Sequence, residues 1–375
     1  RYIDYRHSES VTGSSYESVI LAHQILSLNA TFSGNKKSIG SLLKIRDFQA
    51  YEFYWTPDAQ EISISLYGLY EKEINQYTIQ SSFRLENNSI IPDITSEYFY
   101  ANLDINQINE RNFLLFSAAA AIITKRKNWE LSLGSMFTSR APSIEDLYSD
   151  GPHLGVYNYE IGLPELGAEH TYGLEGSLGY MTDRGELKIT SYQNYSPNYH
   201  LSKVMGEGYE PGADWIEWGS GSAGWLYIYQ MSGLEVYIHG YESEFSYNLN
   251  DIIRFNGSFS ATRGENLTDN SSLYYMPPDR ILLSTEINLL PFSINLIHKK
   301  VFSQNRIGLY ESATPGYETY NVTGTYTMRN SWAIHKFILQ IDNIFDRKYY
   351  NHLSRIKSIM PEKGRNIGLQ YRLNF

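Results

Sequence analysis

The chain ends Asn366-Ile367-Gly368-Leu369-Gln370-Tyr371-Arg372-Leu373-Asn374-Phe375, and the alternation in this stretch decides the fold. Ile367, Leu369, Tyr371, Leu373 and Phe375 are large and apolar, while Asn366, Gly368, Gln370, Arg372 and Asn374 are polar or small. Successive side chains of a β-strand point to opposite faces, so the stretch reads as a strand with one greasy and one wet face. The same period runs upstream. Trp129, Leu131, Leu133 and Phe137 alternate with Glu130, Ser132, Gly134, Met136 and Thr138. Tyr172–Tyr180, Ile253–Ala261 and Tyr320–Met328 repeat it. About seventeen such segments of roughly 10 residues are visible, the length a tilted strand needs to cross a bilayer. The Ala-rich Ser117–Ala121, the nearest thing to a helix, also reads as strand between its flanks Phe113, Leu115, Ile122 and Ile123.

Composition narrows the class. Among 375 residues are 33 Tyr, 16 Phe and 6 Trp but no Cys, with a net charge of −10. Without cysteine there are no disulfides, thiolate nucleophiles or Cys-ligated metals. An acidic balance excludes a nucleic-acid binder, which needs a basic face. The longest apolar run, Phe113–Ile123, contains Ser117 and falls short of the roughly 20 residues of a spanning helix. Many amphipathic strands fit either stacked soluble sheets or a membrane barrel. Aromatic clusters near strand ends favour the barrel: Tyr51, Phe53, Tyr54 and Trp55; Tyr98, Phe99 and Tyr100; Tyr349 and Tyr350. The expected fold is all-β, an antiparallel transmembrane β-barrel with long extracellular loops.

Connections alternate in length, as such a barrel requires. Thr182-Asp183-Arg184-Gly185 and Asn248–Asp251 are tight polar turns. Arg140–Glu169, Pro197–Gly224, Gly264–Pro278, Ser303–Gly316 and Arg347–Gly364 are long and aperiodic, the kind of loop that carries function. Candidate ligand contacts there are Tyr148, Asp150, His153, Tyr157 and Tyr159 in the first, and Tyr209, Trp215, Trp218 and Trp225 around the second. Aromatic surfaces suit flat ligands by stacking. Asp150, His153, Glu160 and His170 have zinc-compatible donors but match no metal spacing, and read as solvated loop residues. His7, His23, His239, His298 and His335 fall within strands. No catalytic spacing of Ser, His and Asp is visible, so no enzyme is expected, and no cofactor.

Two motifs carry a family resemblance. Ile341-Asp342-Asn343-Ile344-Phe345-Asp346-Arg347-Lys348-Tyr349-Tyr350, with Pro361-Glu362-Lys363-Gly364-Arg365 leading into the last strand, resembles the end of TonB-dependent outer-membrane receptors. Arg140-Ala141-Pro142-Ser143-Ile144-Glu145-Asp146-Leu147-Tyr148, continuing through Ile161-Gly162-Leu163-Pro164-Glu165-Leu166 to Glu169, is similar to the mid-barrel loop of that family. The resemblance implies that residues 1–375 form a partial barrel, about 16–18 strands of the family's 22. It also implies a plug domain and a TonB-contacting segment, neither visible here, so the chain is expected to be the C-terminal portion of a receptor. Gly368, Tyr371, Leu373 and Phe375 look like the signal read by the barrel-assembly machinery. The expected location is the bacterial outer membrane, the partners its lipid and lipopolysaccharide, the TonB system in the full-length protein, and a small-molecule or metal-chelate ligand. The implied function is TonB-dependent uptake of a scarce nutrient, a ferric siderophore or other metal complex such as haem or zinc. The alternatives are a passive outer-membrane channel, a barrel enzyme or a soluble carbohydrate-binding protein.

Overall fold

Two-residue turns set the register of the sheet. Asn35-Lys36, Asn75-Gln76, Lys127-Asn128 and Asp183-Arg184 each join antiparallel strands, with Lys36, Asn75 and Lys127 at positive φ. Positive φ matches the twist of a hairpin, and Asn tolerates it well. The computed structural model describes residues 1–9, 19–52, 55–94, 102–153, 158–205, 215–217, 225–309, 311–354, 357 and 360–375. Its strands are β1 (Tyr2–Glu9), β2 (Val19–Gly34), β3 (Lys37–Glu52), β4 (Asp58–Ile74), β5 (Tyr77–Asp93), β6 (Arg111–Arg126), β7 (Trp129–Arg140), β8 (Asp150–His153), β9 (Asn158–Ile161) and β10 (Glu169–Thr182). They continue with β11 (Gly185–Val204), β12 (Trp215–Glu217), β13 (Trp225–Asn248), β14 (Ile253–Asn266), β15 (Ser271–Ser272), β16 (Arg280–Leu289), β17 (Phe292–Val301), β18 (Tyr317–Arg329), β19 (Ile334–Asp342) and β20 (Asn366–Asn374).

All twenty belong to one sheet. Short β8, β9, β12 and β15 lie within the long connections, which leaves sixteen wall strands among the described residues, inside the range read from the sequence. The wall is an up-and-down meander in which each strand pairs antiparallel with the next. Among the described residues β1 pairs only with β2 and β20 only with β19, so the sheet is not closed. Ser117–Ala121 is strand, within β6. The connection expected to begin at Pro197 begins later. β11 runs on to Val204, because a bulge between Ser196 and Tyr199 absorbs Pro197, whose missing N–H the ladder can spare there. β14 likewise continues past Gly264 to Asn266.

The polarity of the wall is inverted relative to a soluble sheet. Leu133 is 58% exposed, Leu114 74% and Leu369 84%, while Ser63, Ser65, Asn88 and Ser177 on the other face are buried. The inner face is a polar network: Lys44 Nζ and Asn88 Nδ2 both donate to Glu61, at 3.2 and 2.9 Å, and Ser132 and Ser177 share a 2.9 Å hydrogen bond. Rings mark two levels of the outer face. Towards the short turns, Trp129 packs tilted against Tyr180 at 4.6 Å, and Phe292, Tyr326, Phe337 and Tyr371 form a continuous row. Towards the long loops, Phe116, Phe137, Tyr172 and Tyr195 form another. On β7 the levels are set by Trp129 and Phe137, about 26 Å apart along the strand and about 20 Å along the axis of a tilted barrel. That spacing suits the apolar band of an outer-membrane barrel. These rows, rather than the clusters at Tyr51 or Tyr349, are the girdles; Tyr349 instead stacks on Tyr317 at 4.2 Å, and Trp55 is buried. Phe53, Tyr54, Tyr98, Phe99 and Tyr100 lie outside the described residues. Among the described residues no helix is long and apolar enough to cross a membrane.

Candidate functional site

The connection between β7 and β10 folds inward. Its Ser143-Ile-Glu-Asp146 run forms a capping box: Ser143 Oγ accepts from the Asp146 amide at 3.0 Å, and Asp146 Oδ2 accepts from the Ser143 amide at 2.9 Å. The cap starts the one-turn helix α1 (Ile144–Tyr148), whose Ile144, Leu147 and Tyr148 bury against Phe48, Ile90, Phe113 and Leu115 of the inner wall. Each such side chain contributes about 2 kcal/mol. Arg46 reaches from β3 to Glu145 at 3.0 Å, and Arg111 of β6 donates to the carbonyls of Pro164 and, at 3.1 Å, Leu166. Gly162 passes so close that a Cβ there would stand 2.6 Å from the Leu147 carbonyl, so only glycine fits. The sequence motif in this connection is therefore a set of anchors that holds the loop against the lumen wall.

The structure places the sequence-picked residues within that fold. Tyr148 is fully buried and its hydroxyl donates to the Asn109 carbonyl at 2.7 Å; burial pushes its phenol up to about 12. Asp150, 2% exposed, accepts from the amides of Asn102 (2.7 Å) and Leu103 (2.8 Å), from Asn102 Nδ2 (2.8 Å) and from the Tyr159 hydroxyl (3.0 Å). Asp150 is thus not a solvated loop residue; it ties Asn102-Leu103 to the folded connection. Burial, with the Asp150 carboxylate alongside, pushes the Tyr159 phenol up. His153 Nδ1 lies 3.0 Å from Glu160 Oε1 and its ring packs on Trp55 at 4.9 Å. His153 and Glu160 are half-buried, and the indole Nε1 of Trp55 meets no acceptor among the described residues. His170 sits apart on β10, at 3.0 Å from Ser139 Oγ. Among the described residues no three His, Asp or Glu side chains converge as a metal site.

Pairing brings the two sequence-picked groups onto one patch. β8 pairs with β9, β9 runs parallel to the loop-side end of β13, and β12 pairs with that same end. Tyr227 stands opposite both Asn158 and Trp215, and Trp225 opposite Glu217. Tyr157, Tyr209 and Trp218 lie outside the described residues. Toward the short-turn end, an open concavity of about 980 Å³ has a mixed lining that includes Lys36, Glu71, Ser82, Ala119, Met136 and Glu175.

A second cluster escapes sequence reading. Glu311, His352 and Lys357, from the β17–β18 and β19–β20 connections, are almost wholly buried together. Glu311 Oε1 takes the Lys357 ammonium at 2.9 Å and stands 2.9 Å from His352 Nε2, without an aligned hydrogen bond; the carboxylate also accepts from the amides of Tyr275 and Gly308. His352 Nδ1 faces Thr314 Oγ1 at 2.9 Å and Lys357 Nζ at 3.3 Å. Burial, then Lys357, hold the imidazole below its ordinary value against the pull of Glu311. No local spacing announces this group, because Glu311 lies 46 residues from Lys357. The Asn343–Asp346 motif is structural too. Asn343, at positive φ, donates to the Arg347 carbonyl and accepts from its amide, both at 2.8 Å, while Asp346 accepts from the Arg365 amide at 2.7 Å and so aims β20.

Comparison with known proteins agrees with this architecture. A family profile described as "TonB dependent receptor-like, beta-barrel" matches residues 5–344. Among solved structures, the copper transporter OprC superposes with a TM-score of 0.76 at 19% identity, over 94% of this chain and 56% of that one. The FrpB iron transporter from Neisseria meningitidis gives 0.67 at 12% identity, over 94% and 55%. The ferric enterobactin receptor PfeA from Pseudomonas aeruginosa, as a G324V mutant, gives 0.59 at 15% identity, over 95% and 61%. The chain thus spans just over half the length of these structures.

Proposed function

The chain belongs to the TonB-dependent receptors, of which it supplies β-barrel wall and loops, and from that premise we propose that it serves an outer-membrane receptor for energised uptake of a small metal-containing ligand. Members of this family are transporters of the bacterial outer membrane, not enzymes. The observation that carries the reading is the inward-folded β7–β10 connection above a polar lumen, with the Trp55, His153 and Glu160 edge and the β12–β13 hairpin sharing one patch. Aromatic faces with a few polar groups suit an aryl-bearing metal chelate. The ferric siderophore class is favoured because the FrpB and PfeA neighbours carry iron or ferric enterobactin; OprC makes copper a second cargo to test, with haem and zinc after it. In this reading Tyr148, Asp150 and Tyr159 act by holding the patch in shape, while His153 and the tryptophans Trp215, Trp218 and Trp225 with Tyr157 supply contacts.

The whole receptor, in this proposal, places a plug in the lumen and reaches the TonB system through it. The exposed outer face of β20 at Tyr371 and Phe375, with Gly368 and Leu373, serves as the signal to the barrel-assembly machinery. Uptake of radiolabelled iron from ferric siderophores, and of labelled copper, haem and zinc, by parent, deletion and TonB-deficient strains tests the proposal. Uptake lost in both mutants is expected for one cargo. Uptake that persists without TonB overturns the energised reading and leaves a passive channel; equal uptake by parent and deletion strains for all four removes metal transport.

A further inference from the structure

The lipid-facing side of β17–β20 carries a notch. Phe292, Tyr326, Phe337 and Tyr371 stand at neighbouring register positions, with ring centroids 5.0, 6.3 and 5.1 Å apart. One outward row nearer the bilayer middle lie Ile294, Gly324, Leu339 and Leu369. At two other outward-facing glycines the wall supplies a ring: Phe83 fills the place of a side chain at Gly68, and Phe245 does so at Gly257, while Gly176 meets Leu133 at 3.9 Å. Such a ring over a strand glycine restores the missing packing. At Gly324 no heavy atom of the other described residues lies within 4 Å of where a Cβ would stand. The result is an apolar groove of about 640 Å³, floored by Gly324 and bounded by the ring row. That volume is within the range of small-ligand pockets.

We propose that this groove binds one acyl chain of a phospholipid from the periplasm-facing leaflet of the outer membrane. The side is fixed by the turns. Short connections of such barrels lie on the periplasmic side, and the ring row adjoins the short β16–β17 and β18–β19 turns. The occupant follows from the surroundings. An uncovered notch in hydrocarbon forfeits dispersion contacts along its lining, and packing rather than the hydrophobic effect drives association inside a bilayer. A flexible alkyl chain restores those contacts without presenting polar atoms. The ring row holds it from the interface side, where the Tyr371 hydroxyl, 2.7 Å from His335 Nδ1, keeps its polar end at headgroup level. Lipopolysaccharide chains enter from the opposite girdle, beside Phe137 and Tyr172.

The test reconstitutes the intact protein in vesicles of phosphatidylethanolamine and phosphatidylglycerol, doped with a phosphatidylethanolamine bearing a diazirine on its acyl chain. After illumination, labelled peptides are mapped by mass spectrometry. Labelling at Ile294, Leu339 and Leu369 is expected to exceed that at the outward Leu131 and Leu133 severalfold. Gly324→Leu, which has open space to occupy, is expected to reduce it to the Leu131 and Leu133 level with folding intact. Equal labelling of the two faces in the parent, or undiminished labelling in Gly324→Leu, overturns the proposal. Should the variant fail to assemble, the comparison of faces in the parent protein decides alone.

Discussion

Asp150 is a carboxylate whose partners are all in its own chain, and this determines what its removal does. Asp150→Ala leaves the Asn102 and Leu103 amides without the carboxylate that accepts from them. A buried donor so abandoned costs about 1–3 kcal/mol. Amide hydrogen exchange at Asn102 and Leu103 is therefore expected to speed up by at least about tenfold in Asp150→Ala, and less in Asp150→Asn, which keeps one acceptor oxygen. Unchanged exchange would show that water replaces the carboxylate. Composition marks Tyr148, Asp150 and Tyr159 as chemistry-bearing residues in a long connection, but Asn109 and Asn102, on which Tyr148 and Asp150 close, lie dozens of residues away, beyond any local pattern. A local clue did exist. Ser143 and Asp146 have capping-box spacing ahead of Leu147, and a capped apolar turn must bury its face somewhere. The motif residues Gly162 and Asn343 were legible as family signature, yet their roles, a close approach and a positive-φ clamp, needed coordinates.

Among elements, the wall strands were legible and the pieces inside the connections were not. Period two needs several repeats to show, which β6, β7 and β20 supply and the four-residue β8 and β9 do not. Pro197 read as a strand end because proline breaks a ladder; the bulge that accommodates it is set by β13 across the pair. The loop-side connections are also joined by charge, through Glu311, His352 and Lys357. Protonating His352 would set a second cation 3.3 Å from Lys357, inside a site shared with Glu311, Thr314 and the Tyr275 amide. The native imidazole is held below its ordinary value of 6.5, so the folded arrangement favours the neutral ring. Its stabilisation is complete above that value and is lost as pH falls through and below it. Hydrogen-exchange protection factors in residues 302–309 and 343–354, referred to the intrinsic rate at each pH, should fall between about pH 8 and about pH 5, and His352→Gln should flatten that dependence. A dependence that survives the substitution would assign the effect to other groups.

For the molecule as a whole, the decisive property is which face of the wall meets hydrocarbon. Leu133 and Ser132 are adjacent on β7 and point to opposite sides, Leu133 outward and Ser132 toward its hydrogen bond with Ser177. Leu133 is also midway between the Trp129 and Phe137 levels, and therefore near the bilayer midplane. An arginine there must be desolvated or must drag water and headgroups inward, at a cost of about 2–4 kcal/mol in an outer-membrane barrel. At Ser132 the same arginine extends into the polar lumen and loses one hydroxyl hydrogen bond, worth about 1 kcal/mol. Urea unfolding of the intact protein in phospholipid vesicles is expected to show Leu133→Arg destabilised by the larger amount and Ser132→Arg by the smaller. The opposite ranking would mean that the apolar face is the packed interior of a soluble sheet. Equal costs would mean that neither face meets lipid, and the inverted exposure of Leu114, Leu133 and Leu369 would then need another environment to cover it.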